Sequence, residues 1–195
     1  MLKNNYYIYR FLKFIGKPIF KVLFRPKINS KYEIPYGEAI IFAGNHKSYM
    51  DPLLLIISTK DVVHFLAKKE LFKGLLKKFF LSVGCIPVNR KTKDKNATEM
   101  AVNVLKNNAI IGIFPEGTRN RSGDILMPFK YGAVSMAQKT NAWVIPFGIS
   151  GDYKLFKKGL SINLGKPYKV EKDLESENLI LMQNVESLIK EEYEK

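Results

Sequence analysis

The feature that most constrains the fold is a regular alternation of short apolar runs with helical patterns from residue 39 onward. Five apolar runs are each short enough to form one strand: residues 39–44, 62–67, 82–88, 110–114 and 143–149. Amphipathic stretches separate or follow them, at residues 53–58, 70–80, 97–107, 131–140 and 174–193. Strands that alternate with helices predict an α/β fold with a mostly parallel central sheet flanked by helices.

A basic and aromatic segment precedes this alternation. Residues 5–24 have the spacing of an amphipathic helix, with basic residues every three or four positions: Arg10, Lys13, Lys17 and Lys21. Pro18 is expected to kink or divide it. Lysines among aromatic residues are typical of a helix, or helix pair, lying in a membrane interface, and the alternative is a helix packed on its own domain. We expect residues 1–30 to be an amphipathic membrane-attachment segment and residues 31–195 to be one domain.

The net charge of +14 is unevenly distributed along the chain. Eight of the 32 basic residues precede the first acidic residue, Glu33, whereas residues 171–195 hold eight acidic and three basic residues. A sequence pI of 9.7 also suggests a nucleic-acid-binding protein. Because the chain has no zinc-finger pattern and its first basic residues alternate with aromatic and aliphatic residues that suit lipid, we expect an anionic membrane surface as its partner and no nucleic acid.

Hydropathy and cysteine content indicate where the protein works. The longest stretch without a charged residue, residues 140–151, has twelve residues, against about 20 for a membrane-spanning helix. The one cysteine, Cys85, excludes an internal disulfide, and with two histidines it leaves no convincing metal site. The first residues are basic where a signal peptide is apolar. We expect a peripheral or monotopic protein on the cytoplasmic side of the cell membrane, with no metal and no cofactor.

The first polar motif is Gly44-Asn45-His46-Lys47-Ser48-Tyr49-Met50-Asp51-Pro52, directly after the first predicted strand. Ligands of open α/β sheets bind at the carboxyl ends of strands. A tight turn could bring His46 and Asp51 together, and an imidazole oriented by a carboxylate is a general base near neutral pH. The structural alternative for Asp51 is a helix N-cap followed by Pro at the first helical position. The two roles are compatible, since a carboxylate has two oxygens.

The second polar motif, Phe114-Pro115-Glu116-Gly117-Thr118-Arg119-Asn120-Arg121-Ser122-Gly123, follows another predicted strand. Glycine lets the backbone approach a ligand, and the planar fork of Arg119 suits a phosphate group. Glu116 can accept hydrogen bonds from hydroxyl groups or hold the arginine. The alternative is a polar surface loop, but two of the chain's five arginines lie within three residues here.

Together these motifs resemble those of the glycerolipid acyltransferase family of the 1-acyl-glycerol-3-phosphate acyltransferase type. That family is recognised by an NHxxxxD block and an FPEGTRS-like block, which stand here as NHKSYMD and FPEGTRNRSG. Two weaker blocks occur in order: Ala67-Lys68-Lys69-Glu70-Leu71 leading to Gly84-Cys85-Ile86-Pro87-Val88-Asn89-Arg90, and Val144-Ile145-Pro146-Phe147-Gly148-Ile149. Four blocks in order are a specific signal.

The resemblance implies transfer of a fatty acyl group from acyl-CoA or acyl carrier protein to the free hydroxyl of lysophosphatidic acid, giving phosphatidic acid. It implies His46 and Asp51 as catalytic residues, and as substrate-binding residues Lys68, Arg90, Glu116, Gly117, Thr118 and Arg119. A related acceptor, glycerol 3-phosphate or another lysophospholipid, is the alternative within this family. A catalytically silent membrane adaptor is a further alternative, against which the intact motif residues argue.

Overall fold

The computed structural model describes residues 6–89, 92, 94–171 and 173–191. The helices in this part of the chain are α1 Tyr7–Phe24, α2 Asp51–Ser58, α3 Gly74–Ser82, α4 Lys95–Lys106, α5 Gly132–Thr140 and α6 Leu174–Lys190. The strands are β1 Lys27–Ser30, β2 Ile40–Gly44, β3 Val63–Lys68, β4 Ile86–Val88, β5 Ile110–Ile113, β6 Trp143–Ser150 and β7 Ser161–Leu164. A short 3-10 helix covers Lys69–Leu71.

These strands form one sheet in the order β1-β7-β6-β2-β5-β3-β4. The strands from β6 to β4 are all parallel, and only the pairing of β6 with β7 is antiparallel. β1 pairs with β7 in parallel, so the sheet begins within residues 1–30. The predicted α/β fold with a mostly parallel, helix-flanked sheet is confirmed.

The core lies on both faces of the sheet because successive residues of a strand point to opposite sides. On one side, β2 contributes Ile41 and Ala43, which pack with residues of α4, α5 and α6. On the other side it contributes Ile40 and Phe42, which pack with residues of α1 and α2. Every residue of β2 is buried, which explains why the sequence of this strand is a continuous apolar run.

Helix α1 packs on the domain along a narrow face. Its buried residues are Tyr9 and Phe20. The Lys13 ammonium donates hydrogen bonds to three carbonyl oxygens beyond the end of α2, at 2.9, 3.0 and 3.3 Å, and burial lowers the pKa of Lys13 to about 8. Pro18 does not divide the helix, which continues to Phe24. Because proline has no N–H group, the carbonyl oxygen of Phe14, four residues before Pro18, has no helical donor. Phe14 is exposed, so water can bind this oxygen.

The structure differs from the sequence prediction around α3 and β4. The predicted helix over residues 70–80 is divided, because the chain is extended at Lys73 and Gly74 has a positive φ. The predicted strand over residues 82–88 is shortened, because Ser82 ends α3 and β4 begins at Ile86. Two strands, β1 and β7, were not predicted. Among the residues that the structure describes, no helix has the length and apolar character needed to cross a membrane.

Candidate active site

The two polar motifs lie side by side at one edge of the sheet. β2 pairs in parallel with β5, with Ala43 opposite Ile113, so the residues after both strands emerge at the same carboxyl-terminal edge. Gly44 is required at the end of β2, since a Cβ atom there would lie 2.3 Å from the carbonyl oxygen of Phe147 on β6. The parallel pairing of β2 with β5 places His46 and Glu116 next to each other.

His46 and Asp51 form a buried hydrogen-bonded pair. The His46 ring nitrogen Nδ1 lies 2.8 Å from Asp51 Oδ2, and the Asp51 side chain is fully buried. The same carboxylate oxygen accepts from the backbone N–H of Lys47 and of Ser48, each at 2.7 Å. Since Asp51 Oδ2 already accepts two backbone N–H groups, we assign the hydrogen between the ring and Asp51 to Nδ1 of the imidazole. The other ring nitrogen, Nε2, is then the one that can take up a proton.

Asp51 does not have the N-cap role that its position before Pro52 suggested. Helix α2 begins at Asp51 itself, its N-cap residue is Met50, and no side chain caps it. The Asp51 carboxylate instead turns back over residues 47–48 and closes the tight turn that follows His46. Its second oxygen, Oδ1, accepts a hydrogen bond from the Tyr153 hydroxyl at 2.7 Å. The four donors fix the carboxylate in one orientation.

Glu116 fastens the second motif to the first. Its Oε1 accepts from the backbone N–H of His46 at 2.7 Å and its Oε2 accepts from the N–H of Met127 at 3.0 Å. Burial raises the pKa of Glu116, and the two N–H donors oppose that rise. Both oxygens therefore bind backbone groups, in addition to any hydroxyl group they can reach in a substrate.

Two further contacts from the second motif hold His46. The Phe114 ring stacks on the His46 ring, with centroids 4.2 Å apart and planes inclined by 19°. The backbone N–H of Asn120 donates to the His46 carbonyl oxygen at 2.7 Å. The imidazole is thus held by its ring face, its Nδ1 and its own backbone.

Arg119 lies one residue from this contact and its guanidinium covers the ring of Tyr49, with 3.5 Å between the guanidinium carbon and the ring centroid. Tyr49 belongs to the first motif and is 76% exposed. Thr118 is exposed beside Arg119. The Gly117 N–H donates to the Phe114 carbonyl oxygen at 2.9 Å, and its φ of +72° closes the turn. The Lys130 ammonium also lies beside this motif, since a Cβ atom added at Gly117 would be 2.8 Å from Lys130 Nζ.

Of the remaining predicted binding residues, Lys68 lies farther along the sheet edge. Lys68 is the exposed last residue of β3, and β5 separates β3 from β2. Arg90 lies outside the residues that the structure describes. The structure therefore brings His46, Asp51, Glu116 and Arg119 into one cluster and places Lys68 two strands away from it.

Several residues of the site were not predicted from the sequence, among them Asn45, Phe114 and Tyr153. The Asn45 side chain bonds both the N–H and the carbonyl oxygen of Ile149, at 2.7 and 2.9 Å, and so ties the loop to β6. Phe114 and Tyr153 contact the His46–Asp51 pair. A cavity of about 300 Å³ opens beside His46, and Glu116, Asn120, Ile125 and Ser150 are among the residues that line it. Phe114 could have been suspected from its place in the motif, whereas Tyr153 carries no sequence signal.

Cys85 and His64 lie apart from this cluster. Burial raises the pKa of the Cys85 thiol to about 11, so it is not a thiolate at neutral pH. His64 on β3 is buried, and its Nδ1 lies 2.8 Å from the Gly84 carbonyl oxygen. Both residues therefore have the structural character expected of them.

Comparison with known proteins agrees with the motifs. The model of a family described as Acyltransferase matches residues 25–150. The chain is 31% identical over 166 residues to the 1-acyl-sn-glycerol-3-phosphate acyltransferase of Bacillus subtilis (strain 168), a match that covers 82% of each protein. It is 36% identical over 141 residues to the enzyme of the same name from Borreliella burgdorferi, covering 71% of this chain and 56% of that protein.

A solved structure shares the fold. The crystal structure of the 1-acyl-sn-glycerophosphate (LPA) acyltransferase PlsC from Thermotoga maritima superposes with a TM-score of 0.77 and 25% sequence identity, covering 97% of this chain and 82% of that one. The family model spans well over half of the chain, and the resemblance predicted from the motifs is confirmed. This chain belongs to the acyltransferase family.

Proposed function

We propose that this protein transfers a fatty acyl group from a thioester to the free hydroxyl of 1-acyl-sn-glycerol 3-phosphate, lysophosphatidic acid, to give phosphatidic acid. The observation that carries the proposal is the His46–Asp51 pair, with 2.8 Å between ring nitrogen and carboxylate oxygen, held at the carboxyl-terminal edge of the sheet. The names of the Bacillus and Thermotoga relatives support the acceptor. Both acyl-CoA and acyl carrier protein provide the thioester that the reaction needs.

The chemistry follows from the orientation of the imidazole. Nε2 of His46 takes the proton of the acceptor hydroxyl as its oxygen attacks the thioester carbonyl carbon. Asp51 stabilises the imidazolium that forms, because its carboxylate faces the protonated Nδ1. The tetrahedral intermediate then collapses, the carbon–sulfur bond breaks, and the leaving thiolate takes the proton from the imidazolium. Acyl transfer is complete without a covalent acyl-enzyme.

Arg119 is the group that we assign to the acceptor phosphate. A planar guanidinium binds a phosphate with two parallel hydrogen bonds, and stacking on Tyr49 fixes its plane. The next residue, Asn120, donates its backbone N–H to the His46 carbonyl oxygen. The loop that carries Arg119 therefore also helps to hold the general base. Thr118 and Gly117 belong to the same loop, and Lys68 and Arg90 are the basic residues proposed to extend the site. Glu116 orders the acceptor through the loop and His46.

We further propose that the protein attaches to the cytoplasmic side of an anionic membrane as a peripheral or monotopic enzyme. The exposed apolar residues of α1 are Tyr7, Ile8, Phe11, Leu12, Phe14, Ile15, Ile19 and Val22. Helix α3 buries none of its residues, and Leu75 on it is 86% exposed. Exposed apolar faces beside lysines suit a lipid surface, since the lysines meet anionic headgroups while the apolar side chains enter the acyl region.

The test of the proposed reaction is a product analysis. Purified protein is incubated with acyl-CoA or acyl carrier protein thioester and with lysophosphatidic acid, other lysophospholipids or glycerol 3-phosphate, and the lipids are identified by mass spectrometry. Phosphatidic acid formed from lysophosphatidic acid is the expected product. Acylation of a different acceptor alone would change the substrate assignment, and no acyl product with any donor would contradict the proposal. DNA and RNA binding under the same salt conditions tests the nucleic-acid alternative.

A further inference from the structure

We propose that Tyr153 is a positioning residue for the His46–Asp51 pair, because its hydroxyl fixes the carboxylate that orients the imidazole. The inference rests on the proposed function, in which His46 is the general base. The Tyr153 hydroxyl donates to Asp51 Oδ1 at 2.7 Å, while His46, Lys47 and Ser48 all bind Oδ2. Tyr153 thus supplies the hydrogen bond to the oxygen that faces away from the imidazole.

The physical need for this donor follows from the burial of Asp51. Its side chain is fully buried, and a buried carboxylate oxygen without a donor is unfavourable. Without the hydroxyl, the carboxylate is free to turn about its Cβ–Cγ bond and share the remaining donors between its two oxygens. The hydrogen bond to Nδ1 of His46 would then weaken, and the imidazole would lose its single orientation.

Tyr153 is itself held from the side of α1. Its ring contacts Phe20 and Phe24 edge-on, at centroid distances of 6.3 and 5.7 Å and interplanar angles of 85° and 82°. The loop that carries it is fastened to the end of the same helix, since the Phe156 N–H donates to the Leu23 carbonyl oxygen at 2.5 Å. The tyrosine therefore connects the helix proposed to contact the membrane with the pair proposed to perform catalysis.

The hydroxyl is suited to act as a permanent donor. Burial, reinforced by the neighbouring Asp51 charge, raises the pKa of Tyr153 well above its usual range, so the group stays protonated at physiological pH. A neutral donor stabilises the ionised carboxylate without exchanging a proton with it. This separates Tyr153 from His46, which must gain and lose a proton in each turnover.

The experiment compares Tyr153→Phe with Tyr36→Phe. The first change removes the hydroxyl and keeps the ring, whereas Tyr36 is a matched control: it packs against the same core cluster and its hydroxyl accepts from the Lys60 N–H at 3.1 Å. The full chain is labelled with ¹⁵N-histidine, and its ring nitrogens are observed by NMR. Since the protein has two histidines, His64 provides an internal reference.

In the wild-type protein we expect one His46 tautomer, protonated at Nδ1. Tyr153→Phe should shift or broaden the His46 ring signals, leave those of His64 unchanged, and lower kcat by about 10- to 100-fold with little change in KM, since a misplaced catalytic group costs rates of this order. Tyr36→Phe should change neither histidine nor kcat.

Unchanged His46 signals with a kcat within about twofold of wild type would overturn the proposal. Equal changes at both histidines, or failure of Tyr153→Phe to fold, would also overturn it. Either result would show that the hydroxyl stabilises the whole protein and does not act specifically on His46. The NMR measurement needs no substrate. A wild-type protein without acyltransferase activity would therefore contradict the proposed function and leave this test intact.

Discussion

The His46 imidazole and the Asp51 carboxylate lie 2.8 Å apart because the carboxylate itself shapes the turn between them. Asp51 Oδ2 accepts the backbone N–H groups of Lys47 and Ser48 as well as the ring nitrogen. One oxygen therefore determines both the path of the loop and the orientation of the imidazole. The proposed catalytic geometry and the local stability of this loop therefore depend on the same carboxylate.

Asp51→Asn should lower both activity and stability. In the wild-type protein four donors bind the two carboxylate oxygens, whereas the amide has only one acceptor oxygen. We therefore expect a stability loss of about 1–3 kcal/mol, measured by denaturant unfolding. The amide also cannot stabilise an imidazolium, so kcat should fall by about 10²- to 10⁴-fold. Asp173→Asn is the control, because this residue caps α6 and lies outside the site. Wild-type kcat in Asp51→Asn would exclude Asp51 from catalysis.

Arg119→Lys should weaken binding of the acceptor even though the substitution keeps the positive charge. Lysine loses the planar stacking on Tyr49 and the two-pronged phosphate geometry, so we expect the KM for lysophosphatidic acid to rise about tenfold or more. Hydrolysis of the acyl donor without acceptor should change little. Arg121→Lys, two residues away and exposed, is the matched control. An unchanged acceptor KM would move the phosphate site toward Lys68 or Arg90.

The stability of the protein should fall at mildly acidic pH through His64. Burial lowers the pKa of His64 below its ordinary value of 6.5, only partly offset by its hydrogen bond to Gly84. The unfolded chain therefore binds this proton first as the pH falls below 6.5, and the free energy of unfolding decreases there by up to about 1.4 kcal/mol per pH unit.

His64→Asn isolates this effect. The asparagine amide can still donate to the Gly84 carbonyl oxygen but does not titrate. Urea unfolding of both proteins is measured between pH 7 and pH 5. As the pH falls, the wild-type protein should lose more unfolding free energy than the variant. A difference that is constant with pH would show that His64 does not cause the acid destabilisation.

The exposed face of α1 should provide most of the attachment to anionic vesicles. The double variant Phe11→Ser, Phe14→Ser removes two of its exposed rings and should reduce vesicle sedimentation. High salt should release only part of the wild-type protein, since screening weakens the lysine contribution, about 1 kcal/mol per residue, but not the apolar contact.

Leu179→Ser on α6 is the control for this measurement, because it removes an exposed apolar side chain from a different helix. Point variants are preferable to deleting α1, which would remove Tyr9 and Phe20 from the core. Equal sedimentation of the double variant and wild type would show that this face of α1 is not the membrane contact.

The sheet was predictable where burial leaves a strong pattern in the sequence. β2 and β6 are almost fully buried, so they stand out as apolar runs. β1 and β7 have four residues each and include polar ones such as Asn29 and Asn163, whose side chains bond each other at 2.8 Å. That partnership exists only in the folded sheet, which is why neither strand could be predicted.

The site was predictable where one motif contains the interacting residues. His46 and Asp51 are five positions apart, and a single turn can join them. Tyr153 reaches Asp51 from 102 positions along the chain, a contact set by the loop after β6 and by α1. Glu116 was expected to accept hydrogen bonds, but its role in binding the His46 backbone depends on the register of β2 with β5.

The most direct test of this account is the activity of His46→Ala. We expect kcat with lysophosphatidic acid and an acyl thioester to fall by about 10²- to 10⁴-fold, the usual contribution of a general base. The variant should still fold, with a stability loss of about 1–3 kcal/mol, because the buried Asp51 carboxylate loses one of its donors. His64→Asn, which changes the other histidine, should retain activity. A folded His46→Ala protein that forms phosphatidic acid at the wild-type rate would contradict the assignment of His46 as the general base.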